Sequence, residues 1–396
     1  MFYELASPTW GQEERDAILR VLDGMQLTIS DNVRRFEKQF AAYHGKKYAV
    51  MVNSGSSANL LAIACLFHKK ENPLERSDEV IVPAISWATT YHPLQQFGLK
   101  LHFVDVALDS LNMDISQLES ALTPHSRAII AVSVLGNPAM LEDISEFARH
   151  HNLYFLEDNC ESLGASTPGG RLTGTFGDIN TFSFFFSHHI STMEGGMLVT
   201  DDEELYHLAL SMRAHGWVRD IPEDSPVYEH RADDFSEAYR FILPGYNLRP
   251  LELSGAVGCE QLKKLPGFIA QRRKNLALFE DLFAADDRLS IQKQNGESSS
   301  FCFPIVIASA DIEERENVFS ELRAADIGFR IVTGGCFPRH DAIRYFDYSC
   351  VNDLPNANMI HDFGFFLGNH PFDLSRQITT AYGVIDSALS RSGKKS

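Results

Sequence analysis

The sequence predicts an α/β protein with a mostly parallel central sheet and a smaller C-terminal α/β domain. Two observations predict it. Short apolar runs alternate with helical patterns through the first half of the chain, and each run ends in a small-residue or polar turn. After Asp202 the pattern changes to long helices with a few isolated strands. A third observation is size. At 396 residues, 44% of them hydrophobic, the chain can fill two cores. We expect a large domain over residues 1–250 and a smaller one over 251–396.

In chain order, Gly11 to Leu22 places Ala17, Ile18, Val21 and Leu22 on one helical face, and Asn32 to Tyr43 reads as a second helix. Tyr48 to Val52 is a strand. It ends in Asn53-Ser-Gly-Ser-Ser-Ala-Asn59, which opens a helix through Phe67. Glu79 to Pro83 is the next strand, followed by a polar turn with Trp87 and a helix from Thr89. Strands follow at Leu101 to Asp105 and Ala128 to Val134, then a helix at Ala139 to His150. Leu153 to Asp158 is a strand that ends in acid. Thr181 to Ser187 is an aromatic strand that runs into His188-His189 and then Glu194-Gly-Gly. In parallel sheets ligands bind beyond the carboxyl ends of the strands, so these turns are where a site is expected.

In the second half, helices at Leu251 to Leu265 and Ile269 to Phe283 are expected to be separated by Pro266. Asn295 to Ser300 is a loop and Phe301 to Ile307 a strand. A helix at Ile312 to Ala325, an extended Arg330-Ile-Val and a last helix from Leu374 complete the chain. The tail from Ser390 is expected to fray.

A net charge of −18 argues against nonspecific binding to nucleic acid or anionic membrane, which needs a cationic face. The six cysteines are far apart with no Cys-x-x-Cys, so neither a metal site nor a disulfide framework is expected. The chain start lacks a signal-peptide pattern. The best apolar run, Leu60 to Phe67, is too short to cross a bilayer. A cytoplasmic protein is expected.

Four features can carry chemistry. Ser54-Gly-Ser-Ser-Ala58 opens a helix, where free N–H groups and the dipole favour an anion; a plain N-cap is the alternative. Asp158 closes an apolar strand. A carboxylate there needs a cation or donors, and a protonated ring nitrogen would serve; a helix cap is the alternative. Trp87 is either a core aromatic or a surface for a flat ring. His188 and His189 would point opposite ways on an extended backbone, which makes a poor chelating pair; one of them can act as acid or base.

These features occur in one order, together with Leu5-Ala-Ser-Pro-Thr-Trp10, Phe182-Ser-Phe, Arg213-Ala-His-Gly216 and Gly245-Tyr-Asn-Leu-Arg249. In this the chain resembles the sugar-nucleotide aminotransferases of the DegT/StrS type. That family has the aspartate aminotransferase fold (fold type I) and uses pyridoxal 5'-phosphate (PLP). The resemblance implies that Ser56, Ser57, Ala58 and Ser183 hold the cofactor phosphate, that Trp87 stacks on its ring, and that Asp158 pairs with its nitrogen. Glu161 stands where the family usually has glutamine, near the ring hydroxyl. Asn247 would reach the neighbouring subunit's phosphate, which implies a homodimer with shared active sites.

One position departs from the family. Counting back from Glu194-Gly-Gly, the Schiff-base lysine falls at position 188, which is His188 here. Imidazole has no primary amine to condense with an aldehyde. A histidine-bearing branch of the family, serving colitose biosynthesis for lipopolysaccharide O-antigen, has this replacement. Its matching segments include Ser187-His-His-Ile, Thr192-Met-Glu-Gly-Gly196, Leu243-Pro-Gly-Tyr-Asn247 and Gly368-Asn-His370. The resemblance implies a 3-dehydratase. L-glutamate would convert PLP to pyridoxamine 5'-phosphate (PMP), and PMP would condense with the C4 ketone of GDP-4-keto-6-deoxy-D-mannose. His188 would take the proton and help expel the C3 hydroxyl, and ammonia and a 3-deoxy sugar nucleotide would leave. His215 is a second candidate catalytic group. Arg219, Arg249 and Arg330 are candidates for the diphosphate. His189, Cys302 and Cys336 read as structural. A second histidine branch needs an iron–sulfur cluster, which these cysteine spacings do not supply. Two other readings stay open: a 4-aminotransferase with an unusual proton shuttle, and a non-catalytic sugar-nucleotide-binding protein.

Overall fold

The structure, a computed structural model, describes residues 1–392. Helices α1 (Gln12–Gly24) and α2 (Asp31–Tyr43) precede β1 (Tyr48–Val52) and α3 (Gly55–Leu66). There follow β2 (Glu79–Pro83), α4 (Ala88–Gln96), β3 (Lys100–Val104), α5 (Leu118–Ala121), β4 (Ser126–Val132), α6 (Leu141–His150), β5 (Tyr154–Asp158), β6 (Ile179–Ser183) and β7 (Gly196–Thr200). Next are α7 (Glu203–Arg213), α8 (Asp234–Glu237) and the long α9 (Glu252–Phe283). The chain closes with β8 (Leu289–Ile291), β9 (Cys302–Ile307), α10 (Ile312–Ala324), β10 (Phe329–Ile331), β11 (Tyr348–Cys350), α11 (Pro355–Phe363), β12 (Gly364–Gly368) and α12 (Ser375–Ser392).

The large sheet has the order β1-β7-β6-β5-β4-β2-β3-β11. Its strands are parallel except β7, which runs against both β1 and β6. The apolar runs are buried on both faces, as a helix-covered parallel sheet requires. The small sheet, β10-β12-β9-β8, is antiparallel throughout. α9 packs on α1 and α2 at one end and on α12 at the other, so it ties the two sheets together. We propose the domain boundary at 250/251, just before α9. Two pieces of chain cross it. Tyr3 bridges to Ile327 beside the small sheet, and β11 pairs with β3 of the large one.

Several expectations need correction. Pro266 does not divide a helix, because α9 runs unbroken through it. Proline inside a helix costs about 3 kcal/mol. Leu265 and Ile269 on either side are buried against Phe36, Phe40 and Leu163. Burying two such side chains offsets a cost of that size, at roughly 1.5–3 kcal/mol each. β4 starts and ends two residues earlier than expected. α5, β7, α7, α8, β8, β11, α11 and β12 had no counterpart in the sequence reading. α12 continues through Ser392, with Arg391 paired to Glu321 at 2.8 Å, so the expected fraying does not begin at Ser390. Residues 393–396 lie outside the described residues. No helix among the described residues is long and apolar enough to cross a membrane.

Candidate active site

A cavity of about 490 Å³ lies at the carboxyl ends of the large-sheet strands. Ser54 to Ser56, Trp87, Asp158, Glu161, Ser183, His188, Glu194, Phe301 and Arg330 line it. The start of α3 comes first in the chain. Ser54 caps the helix, its Oγ accepting the Ser57 N–H at 3.1 Å while its carbonyl accepts the Ala58 N–H at 3.0 Å. The cap therefore uses the donors of Ser57 and Ala58. Among the described residues the N–H groups of Gly55 and Ser56 have no acceptor, and they stand at the positive end of the helix dipole. Ser56 lines the cavity, but Ser57 and Ala58 do not, and Ala58 is fully buried. Gly55 is required here, since a Cβ would stand 2.5 Å from that of Ser183. Gly196 has the same reason, because its Cβ would meet the Ser54 carbonyl oxygen at 2.3 Å. The Glu-Gly-Gly signature thus lets β7 start against the α3 turn.

Asp158 ends β5 and is 6% exposed. Its Oδ2 accepts from Asn59 Nδ2 at 2.8 Å and Thr90 Oγ1 at 2.7 Å, and its Oδ1 from the Cys160 N–H at 3.2 Å. No cation pairs with it among the described residues. Trp87 is 61% exposed, so it is not a core aromatic. It stands at the N-cap of α4 with its indole on the cavity wall. Ser56 Oγ lies 2.8 Å from Thr89 Oγ1 on the same helix.

His188 and His189 do not continue a strand. β6 stops at Ser183 and the chain turns, with the His188 N–H donating to the Phe185 carbonyl at 3.0 Å. The two rings separate all the same. His188 lines the cavity with its ring 5.1 Å from Phe301. His189 is fully buried, with Nε2 at 3.2 Å from the Ser299 carbonyl oxygen. Burial pushes the His188 imidazolium down to about 4, and Arg272 adds to this. The Cys160 carbonyl and Asp158 act the other way. His188 is therefore a neutral imidazole at neutral pH, able to accept a proton. Burial pushes Glu161 up to about 7, against the Leu135 N–H that it accepts. The buried thiols Cys302 and Cys336 are pushed up to about 12 and about 11, which suits packing groups.

Six predicted residues lie outside this cavity. His215 is exposed on left-handed backbone (φ +68), Asn247 is exposed, and Arg219 packs over Trp217. Arg249 donates to Asn247 Oδ1 at 3.0 Å. These four sit on the segment between α7 and α9. The other two are Ser57 and Ala58, treated above. Of the three arginines, Arg330 alone reaches the cavity. Sequence reasoning missed Asn59, Thr90, Phe301 and Thr333. Asn59 stood in the small-residue turn, but its partner is 99 residues away.

The residues present fit a phosphorylated pyridine cofactor. Two free helix N–H groups and two serines suit a phosphate. A buried acid without a cation suits a protonated ring nitrogen, and an exposed indole suits a flat ring. On this fold the site is that of a fold-type-I PLP enzyme. The chain belongs to the DegT/DnrJ/EryC1/StrS aminotransferase family, whose profile matches residues 8–377. It is 47% identical over 97% of its length to the GDP-4-keto-6-deoxy-D-mannose 3-dehydratase of Yersinia pseudotuberculosis, covering 98% of that protein. It superposes with a TM-score of 0.94 on the Escherichia coli GDP-4-keto-6-deoxy-D-mannose-3-dehydratase with bound hydrated PLP, at 47% identity over 97% of this chain and 99% of that one. The same TM-score and identity relate it to a GDP-4-keto-6-deoxymannose-3-dehydratase with a trapped PLP–glutamate geminal diamine, over 97% of this chain and all of that one.

Proposed function

We infer that the chain is a PLP/PMP-dependent 3-dehydratase acting on GDP-4-keto-6-deoxy-D-mannose. L-glutamate is the amino donor, and 2-oxoglutarate, ammonia and the 3-deoxy sugar nucleotide are released. One observation carries the reading: the cavity presents an imidazole, His188, at the position where the resemblance places a lysine amine.

Ser56, Ser183 and the free N–H groups of α3 would hold the cofactor phosphate. Trp87 would cover the ring, and Asp158 and Glu161 would meet its nitrogen and hydroxyl. When bound, the cofactor supplies an electron sink for the carbons beside the sugar ketone. His188 then has two tasks. It accepts a proton that an ordinary aminotransferase hands to lysine, and it returns one to the departing C3 hydroxyl. Having no primary amine, it cannot recapture the cofactor, so product release is not tied to a second amine transfer.

A homodimer with shared active sites belongs to this proposal. Asn247, exposed and outside the cavity of its own chain, supports a role at the neighbouring subunit's site. His215, Arg219 and Arg249 lie on the same segment and go with it. Arg330 is the diphosphate candidate contributed by the chain's own cavity. A cytoplasmic place in colitose and O-antigen assembly fits the substrate. The test is product analysis with L-glutamate and a panel of 4-keto-6-deoxy sugar nucleotides. Ammonia and a 3-deoxy product are expected with the GDP-mannose derivative. A stable 4-amino sugar without ammonia would point to an aminotransferase instead, and binding without turnover to a non-catalytic homologue.

A further inference from the structure

The Glu161 carboxyl joins two parts of the cavity wall that come from different sheets. Its Oε2 accepts the Leu135 N–H at 2.9 Å and the Thr333 hydroxyl at 3.3 Å. Leu135 follows β4 of the large sheet, and Thr333 follows β10 of the small one. Both stand on left-handed backbone, with φ +53 at Leu135 and +40 at Thr333. Neither is glycine, and such a conformation costs of order 1–3 kcal/mol at each. Two strained turns therefore meet on one carboxyl oxygen, and the surrounding structure must hold them there. Glu161 Oε1 takes no hydrogen bond among the described residues, on a side chain that lines the cavity. Arg330 and Ile331, just before Thr333, line the same cavity.

We propose that Glu161 is a positioning residue that, through Thr333, fixes the Arg330–Thr333 segment against the cavity, so that a ligand touching its free oxygen and the grip of Arg330 on the sugar nucleotide are coupled. The proposal rests on the functional reading above. Because Oε2 already holds two donors, a proton or a ligand meets Glu161 at Oε1. The ionisable groups facing it are Asp158 and Cys160 on its own side, Cys302 on β9, His188 across the cavity and Arg330 beside Thr333. Protonated, Glu161 keeps both protein donors on Oε2 and presents an O–H to the cavity. A glutamine side chain would present an N–H in the same way.

The test uses the full-length protein loaded with PLP, with two readouts: steady-state turnover, and calorimetric binding of GDP as the probe. Thr333→Val removes the hydroxyl and keeps the branched shape. It is expected to raise the KM for the sugar nucleotide and the Kd for GDP by about three- to ten-fold, the worth of one hydrogen bond, with kcat changed less than about two-fold. Thr333→Ser should restore both constants. Glu161→Ala should match Thr333→Val in the Kd for GDP while also lowering kcat, because it removes the partner of the cofactor's ring hydroxyl, and in GDP binding the double variant should add little beyond either alone, because the two act as one contact. Glu161→Gln should stay near wild type in GDP binding. Unchanged KM and Kd in Thr333→Val, or fully additive effects in the double variant, would overturn the proposal. If Glu161→Ala does not fold, Thr333→Val and Thr333→Ser decide alone. If the wild type makes no 3-deoxy product, the functional reading fails, and GDP binding still decides the coupling.

Discussion

Asn59 Nδ2 donates to Asp158 Oδ2 at 2.8 Å, so the second turn of α3 grips the acid at the end of β5. Thr181 on β6 orients Asn59 in turn, its hydroxyl donating to Asn59 Oδ1. Thr90 on α4 adds a second donor to the same carboxylate oxygen. Three elements thus hold one carboxyl side chain in place before any ligand arrives. Asp158→Asn keeps the shape and removes the charge. We expect kcat to fall roughly 10²–10³-fold, as when a preorganised electrostatic group is lost. Single-turnover kinetics with glutamate would measure it. Near-normal turnover would mean that Asp158 serves only as a strand-end cap.

His188→Lys restores the amine of the ordinary family. Borohydride should then reduce a lysine adduct at position 188 in the variant and none in the wild type, as read by peptide mass. Ammonia release should fall by at least about 10²-fold, the usual worth of a positioned general acid–base. A variant with PLP bound but no adduct would show that position 188 is not aligned with the family's lysine.

Arg213 and Glu37 form a buried pair that locks α7, α2 and β1 together. Glu37 Oε1 accepts from Arg213 Nη1 at 2.6 Å and from the Met51 N–H at 2.7 Å. The two residues are 2% and 8% exposed. Arg213→Met leaves the Glu37 carboxyl without its cation, and burial already pushes that carboxyl up. The expected loss is about 3–5 kcal/mol by denaturant unfolding. A change below about 1 kcal/mol would show that water enters the pocket or that Glu37 is neutral throughout.

Acid should destabilise the fold through buried histidines. Burial pushes His44, His188 and His370 each down to about 4. The unfolded chain binds these protons near 6.5, before the folded one does. Their stabilisation is therefore complete above about 6.5 and is lost as pH falls through about 4. Glu161, raised to about 7, works in the opposite sense, so a difference between variants is the clean reading. His44 packs among Phe40, Tyr43 and Phe182. His44→Phe should flatten the fall in Tm between pH 6.5 and 4, as followed by calorimetry. An unchanged pH slope would mean that His44 is already protonated in the fold.

Much of the large sheet was legible because its strands are local apolar runs that end in turn residues. β1 and β2 fall where their periodicity places them. α9 was not legible, because proline is a strong local stop and the burial that overrides it comes from α2 and from Leu163. The donors of the α3 turn were half legible. Small residues announced a helix start, but which N–H groups stay free depended on the cap geometry of Ser54.

The sequence by itself determined which chemistry position 188 cannot do. One side chain at position 188 has no amine, and that fact needs no fold. It also determined the class of site, through an ordered set of turn residues at strand ends. The tertiary structure decided how those residues are held. Asn59 meets Asp158 across 99 positions, and Thr333 meets Glu161 across 172. It also decided that His188 lines the cavity while His189 is fully buried. A hydrogen bond between distant residues leaves no mark on local periodicity or propensity. Its partner is chosen when two packed elements bring buried polar groups together and neither can be left unpaired.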